Sequence, residues 1–249
     1  MTLFGLEPWI LAYAGLAMFV GGVIRGYSGF GSSMFWVASV SLVVPPVEIV
    51  PTIYLLEIMA SAHLLPKVWR EVDKRSVGWL LLGALITTPV GVWLLAVMPA
   101  DTMRVVISVL ILAAVAVLSR GPVLGRMPGP LPTALTGALS GVINGATSMG
   151  GPPAVVYYLS TPLGAAATRA CLIAYLLGTD LFSAAYAGGA GLISGEILLR
   201  SLGFFVIVLA GLAIGHRRFV ATAPETFRRF TMILLAALAL VGLVRALLA

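Results

Sequence analysis

The sequence predicts an all-α, polytopic membrane protein made of two inverted repeats, each a glycine-broken helix hairpin followed by three transmembrane helices. Three observations predict it. The 249-residue chain is 60% hydrophobic and 10% charged, with a mean hydropathy of +1.09, outside the range of soluble domains. Apolar runs of about twenty residues, the length of helix that crosses a bilayer, recur along it. Two of the runs are interrupted by glycine in the same pattern. Gly22-Val23-Ile24-Arg25-Gly26-Tyr27-Ser28-Gly29-Phe30-Gly31 returns 119 residues later as Gly141-Val142-Ile143-Asn144-Gly145-Ala146-Thr147-Ser148-Met149-Gly150. Unpaired backbone groups cannot face lipid, so irregular backbone at membrane depth lines a cavity or meets a ligand. A duplicated broken helix is the sequence pointer to a transport site.

Taken in order, the apolar spans run 9–24, 34–44, 46–66, 77–98, 103–119, 132–143, 153–162, 167–187, 197–215 and 229–248. Spans 46–66, 77–98, 103–119, 167–187, 197–215 and 229–248 are long enough for full crossings. Segments 34–44 and 153–162 are too short, so each glycine break and its short follower read as a hairpin returning to its own side. The stretch 127–168 carries no charge and is too long for one crossing, and Gly150-Gly151-Pro152-Pro153 divides it. The chain forms a single transmembrane domain over residues 1–249, with internal repeats 9–119 and 132–248. Further matches support the duplication: Arg75-Ser76-Val77-Gly78-Trp79 with Arg200-Ser201-Leu202-Gly203-Phe204, and Asp101-Thr102-Met103-Arg104 with Glu225-Thr226-Phe227-Arg228. The first residues, Met1 to Pro8, lack the basic region of a signal peptide, so the first span is expected to be retained.

Charge sets the orientation. The 67–75 loop carries Lys67, Arg70, Lys74 and Arg75, the inter-repeat segment Arg120 and Arg126, and the 216–229 loop Arg217, Arg218, Arg228 and Arg229. With Arg169, placing these inside puts 11 of the 15 Lys and Arg in the cytoplasm. Three full crossings after each hairpin then invert the halves. The +6 net charge is therefore topological, with no nucleic-acid partner implied. The lone Cys171 gives no disulfide framework, and His63, with no second His or Cys beside it, gives no metal site. No cofactor is implied.

The glycine-rich breaks, the Gly150-Gly151-Pro152-Pro153 continuation and the two similar hydrophobic halves resemble the TauE/SafE sulfite exporter family over essentially the whole chain. That resemblance implies export of a small sulfur-containing anion, sulfite or an organosulfonate, across the bacterial inner membrane. In the first half the chain reads Gly29-Phe30-Gly31-Ser32-Ser33 in place of the family's usual glycine triplet.

The residues themselves suggest where such an anion would sit. Arg25 lies at the first break, and an intramembrane arginine costs about 2.5–3.5 kcal/mol on insertion scales, which marks it as functional or as one half of a structural ion pair. Asn144 occupies the matching place. Gly137, Gly141 and Gly145, and Gly22 and Gly26, recur every four residues and read as helix packing. Gly29, Gly31, Gly150 and Gly151 read as the turns, where glycine permits φ > 0 and close approach to a ligand. Helices starting near Ser32 and Pro152 would aim free N–H groups at an anion, with Ser28, Ser32, Ser33, Thr147 and Ser148 adding hydroxyls. Glu57 and Asp180 are the only acidic residues deep in full crossings, 123 residues apart. A buried carboxyl can carry a proton through a transport cycle, or serve as a structural partner for Arg25 or the backbone. Tyr157, Tyr158 and Tyr175 line the path or pack. The leading reading is a secondary transporter with protons as the candidate coupling ion. The alternatives are an uncoupled, channel-like anion facilitator, a structural membrane subunit and an intramembrane enzyme. The last lacks a nucleophile–base pair or metal cluster, and no Walker A sequence supplies an ATP motor.

Overall fold

The computed structural model describes residues 6–120 and 126–219, with isolated helical positions at 233, 236, 237, 240, 243 and 244. The last expected span, 229–248, the 216–229 loop and the Glu225–Arg228 match therefore lie almost wholly outside the described residues. Among those described, nine α-helices run in order: α1 (Pro8–Ser28), α2 (Ser32–Val40), α3 (Pro46–Val68), α4 (Lys74–Val97), α5 (Ala100–Arg120), α6 (Pro130–Thr147), α7 (Gly151–Ser160), α8 (Ala165–Gly189) and α9 (Gly195–Phe219). A single 3-10 turn, Trp69–Glu71, follows α3. The expected breaks fall between α1 and α2 and between α6 and α7. α2 and α7 are only 9 and 10 residues long, about 13–15 Å, half a bilayer.

Among the described residues, six helices are long and apolar enough to cross a membrane, the first of them Pro8–Tyr27. The short 9–24 apolar run thus understated α1, because Pro8 starts the helix and the polar Arg25-Gly26-Tyr27-Ser28 stretch continues it. α6 does not qualify by the same measure, since Thr133, Thr136, Ser140 and Asn144 dilute its hydropathy.

Packing follows from the distribution of small residues. α4 packs closely along α6, and α1 along α9. In the first pair a Cβ on Gly141 would come within 2.6 Å of the Ala84 Cα, and one on Gly145 within 2.9 Å of the Val92 nitrogen. In the second a Cβ on Gly22 would come within 2.8 Å of the Val208 carbonyl oxygen. Such glycines let backbones touch, the main source of association where lipid is as apolar as leucine. α3 and α8 lie at the centre, against each other; 56% and 61% of their spans are buried, against 28% for α5. Outward, Ile86, Val90, Trp93, Val206 and Leu202 present apolar surface of the kind lipid covers. The pairings exchange halves: first-half α1 meets second-half α9, and second-half α6 meets first-half α4.

Candidate functional site

The first break is made by two left-handed glycines. Gly29 (φ 79°) caps α1, its N–H donating to the Arg25 carbonyl at 2.8 Å, and Gly31 (φ 88°) precedes α2. Both conformations favour glycine. The turn leaves Arg25, three residues before the end of α1, facing the middle of α3, where Glu57 is the twelfth of 23 residues. Arg25 Nη1 forms an ion pair with Glu57 Oε2, and Arg25 Nη2 donates to Ser61 Oγ at 2.5 Å. Ser32, the first residue of α2, donates its hydroxyl to the other Glu57 oxygen. One carboxylate thus ties α1, α2 and α3 together, with Arg25 at 0% and Glu57 at 2% exposure. Arg25 therefore has the carboxylate partner of the structural reading, met by Nη1 as an ion pair, while its Nε, fully buried, has no hydrogen-bond acceptor.

The second break repeats the plan with neutral chemistry. The left-handed residue is not a glycine: Ser148 (φ 57°) caps α6, and it is the only non-glycine residue with positive φ among those described. Gly150 is needed for space, since a Cβ there would come within 2.7 Å of the Asn144 side chain. Gly151 is required by neither φ nor space; a Cβ would meet only a Leu176 methyl at 4.0 Å. Asn144 donates from Nδ2 to Asp180 Oδ1 at 2.9 Å and to Ser183 Oγ at 3.0 Å, and its Oδ1 accepts from the Gly150 N–H at 2.9 Å. Those partners fix the amide orientation. Thr147 turns its hydroxyl back to the Ile143 carbonyl at 2.7 Å. Ser148 lies beside the Asp180 carboxyl without a well-formed hydrogen bond.

The two clusters are electrostatically joined, Asp180 lying in the field of both Glu57 and Arg25. Asp180 is the sixteenth residue of α8 while Glu57 is the twelfth of α3, so the pseudo-equivalent carboxyls differ by one helical turn on similar faces. Tyr54 bridges the halves, donating to the Gly145 carbonyl at 2.5 Å. Ser33 is buried on α2; the side chain of Ser28 lies outside the described residues. α2 begins without a side-chain cap, so its first N–H groups have no acceptor within the helix. α7 differs: Pro152 and Pro153 remove two such donors.

Several participants escaped the sequence reading. Ser61 and Ser183 sit one turn beyond Glu57 and Asp180, a spacing that could have flagged them. Ser140, which donates to the Gly150 carbonyl, and Arg169, whose side chain overlies Gly29, carried no signal. Of the candidate tyrosines, Tyr157 bonds Thr133 and Tyr158 bonds Ser76, both at 3.0 Å; Tyr158 is packed within the core, Tyr157 also lines the cavity described below, and Tyr175 lies on α8 beside Ser140. Exposed His63 faces Lys67, away from these clusters. A cavity of about 900 Å³ opens at Arg126–Pro132 and runs between α5, α6 and α7 to Met34, Met149 and Pro152 behind the second turn. Its walls are mostly apolar, with Arg126, Thr136, Tyr157 and Ser160 the polar side chains along them, and none of the buried charged groups lines it.

The family model described as Sulfite exporter TauE/SafE matches residues 14–242. No curated protein and no solved structure matches the chain.

Proposed function

We propose that this chain, which belongs to the sulfite exporter TauE/SafE family, is a secondary transporter that carries sulfite or an organosulfonate outward across the bacterial inner membrane, coupled to protons. The family consists of membrane transporters, not enzymes. One observation carries the finer reading: the ends of two broken helices meet the middles of the two central helices, and each meeting point is a buried polar cluster around a carboxyl. Glycine-broken helices and intramembrane carboxyls both cost stability and are kept where substrate or coupling ions pass.

The anion would lie at the turns. The uncapped start of α2, with Gly29, Gly31, Ser32, Ser33 and Ser28, offers N–H and hydroxyl donors in the first half, and Arg25 adds the buried Nε that has no acceptor. Asn144, Thr147, Ser148, Gly150 and Gly151 form the second-half counterpart, with fewer backbone donors. The two carboxyls divide the remaining work. Glu57 is neutralised by Arg25 and is a structural anchor. Asp180 is bonded only to neutral groups, and a charge so placed is costly, so Asp180 is the group that exchanges a proton. Inverted repeats account for the exchanged pairings of α1 with α9 and α6 with α4, and provide two related packings for alternating access.

The test is flux in proteoliposomes. Sulfite and 2-hydroxyethanesulfonate should move with proton flux, and an imposed pH gradient should drive either anion uphill. Asp180→Asn should flatten the pH dependence of flux more than it weakens anion binding. Flux of both anions without proton movement would instead establish the channel-like facilitator, and no flux of either would refute the sulfur-anion reading.

A further inference from the structure

The cavity between α5, α6 and α7 has a volume of about 900 Å³. Pockets that enclose drug-sized molecules span about 300–1,000 Å³, so it is far larger than an ion such as sulfite needs. It follows one face of α6, where Pro132, Thr136, Leu139 and Ile143 recur at the spacing of a helical stripe. From Pro132 to Ile143 that face is about 16 Å long, roughly half the hydrocarbon core of a bilayer. One end is open, with Arg126 and Met127 exposed. The other is closed by Met34, Ile111 and Met149, none more than 3% exposed. Met149 follows the left-handed Ser148 of the second turn, and Met34 is the third residue of α2. The closed end therefore adjoins both broken helices, and the open end lies at the inter-repeat segment, whose basic residues predict the cytoplasmic side.

The walls show what fits inside. Three hydroxyls border the cavity, and each spends its proton on the protein. Thr136 donates to the Pro132 carbonyl at 2.9 Å, and Ser160 to the Val156 carbonyl at 2.6 Å. Thr133 donates to the Gly129 carbonyl at 2.8 Å, which leaves Tyr157 as the donor in their 3.0 Å bond. Beyond Arg126 at the mouth, the described lining residues offer an anion neither a charge nor a spare hydroxyl proton. An oxyanion that shed its water there would gain nothing in return. A hydrocarbon body would gain about fourfold in affinity for each CH₂ it buried. We propose that the cavity holds the apolar body of the transported anion, with its sulfonate head at the turns, so that the substrate is an organosulfonate with a hydrocarbon body rather than sulfite. The inference rests on the reading of the chain as an anion transporter and names the substrate class within it. Arg126 collects the anion at the mouth by its charge, and the slot behind it selects for carbon.

Binding to the full-length protein in lipid nanodiscs tests this, with sulfite, methanesulfonate, butanesulfonate and hexanesulfonate as probes and hexanol as the uncharged control. Affinity should climb with chain length, hexanesulfonate binding roughly a hundredfold more tightly than methanesulfonate. Ala113→Trp on α5 and Val156→Phe on α7, which fill the cavity from two walls, should weaken hexanesulfonate by about tenfold and leave methanesulfonate unchanged. A smaller substitution reads the same site without filling it. In a Cys171→Ala background, Ala113→Cys should be protected from a maleimide by hexanesulfonate and not by methanesulfonate. Equal affinity for sulfite and every sulfonate overturns the proposal and leaves the sulfur-anion reading standing. A chain-length dependence that survives in both filled variants, or a thiol that hexanesulfonate leaves unprotected, puts the hydrocarbon elsewhere and also overturns it. So does hexanol binding as tightly as hexanesulfonate, since the cavity would then accept any hydrocarbon chain, a lipid tail included. Binding of neither sulfite nor any sulfonate overturns both readings.

Discussion

Arg25 and Glu57 illustrate how a buried charge is made tolerable. Each alone would be expelled from a low-dielectric interior, and together with Ser32 and Ser61 they fill most of one another's hydrogen-bonding capacity. Removing one partner strands the other, a loss of about 3–5 kcal/mol in buried pairs. Arg25→Met or Glu57→Gln should therefore sharply reduce the melting temperature and the yield of monodisperse protein in detergent. The double variant Arg25→Met with Glu57→Met should regain most of that loss. Single variants that melt like the wild type would show that the pair contributes nothing to stability. Ser148 makes the opposite case. Its left-handed backbone costs about 1 kcal/mol or more in a non-glycine residue, and its hydroxyl faces Asp180 without a formed bond. Ser148→Gly should raise the melting temperature and weaken anion affinity, the signature of strain retained for function. Unchanged affinity would remove Ser148 from the site.

The elements are assembled through glycine. Along α4 and α6, Gly83, Gly91, Gly137, Gly141 and Gly145 each place backbone against backbone, and Gly22, Gly211 and Gly215 do so along α1 and α9. The four-residue spacing announced Gly137, Gly141, Gly145 and Gly22 as packing glycines, but not Gly83, Gly91, Gly211 or Gly215, nor which helix each would meet. A side chain at Gly137 would land on the Leu80 carbonyl, backbone that cannot rotate away. Gly137→Val should cost about 1–3 kcal/mol by overpacking and lower the melting temperature accordingly. Gly78 lies on the same α4, but a methyl group added there would find nothing within 4 Å. It should accept Ala with no loss or a gain of up to about 1 kcal/mol from helix propensity. Equal melting of the two variants would mean that the α4–α6 contact is looser than the glycines indicate.

At the scale of the whole molecule, orientation follows from where the basic loops fall. The start of α8 lies against the 69–73 segment, where the Asp73 N–H donates to Cys171 Sγ at 3.2 Å and Glu71 shares the field of Arg169. The basic 67–75 loop and the base of α8 therefore belong to one face, and the positive-inside rule predicts that this face is the cytoplasmic one. α4 then ends on the other face, with the 190–194 turn beyond α8. In a Cys171→Ala background, Glu71→Cys should react with an impermeant thiol reagent only in inside-out vesicles, and Gly191→Cys only in right-side-out ones. The reverse pattern would invert the topology and with it the proposed direction of transport.

The amino-acid sequence by itself determined the membrane class, the positions of both helix breaks, the 119-residue duplication and the pair of intramembrane carboxyls. These are local properties: mean hydropathy over a span, glycine where the backbone must turn, and a repeat visible as text. The tertiary structure alone decided that Arg25 spends its charge on Glu57, that Asn144 holds Asp180, and that Arg169 covers Gly29. Those relations join residues 32, 36 and 140 positions apart, across helices whose facing rotations are set by which glycine stripes interlock. No periodicity within one helix records the rotation of its neighbour, so the partners of the buried charges became legible only once the helices were packed.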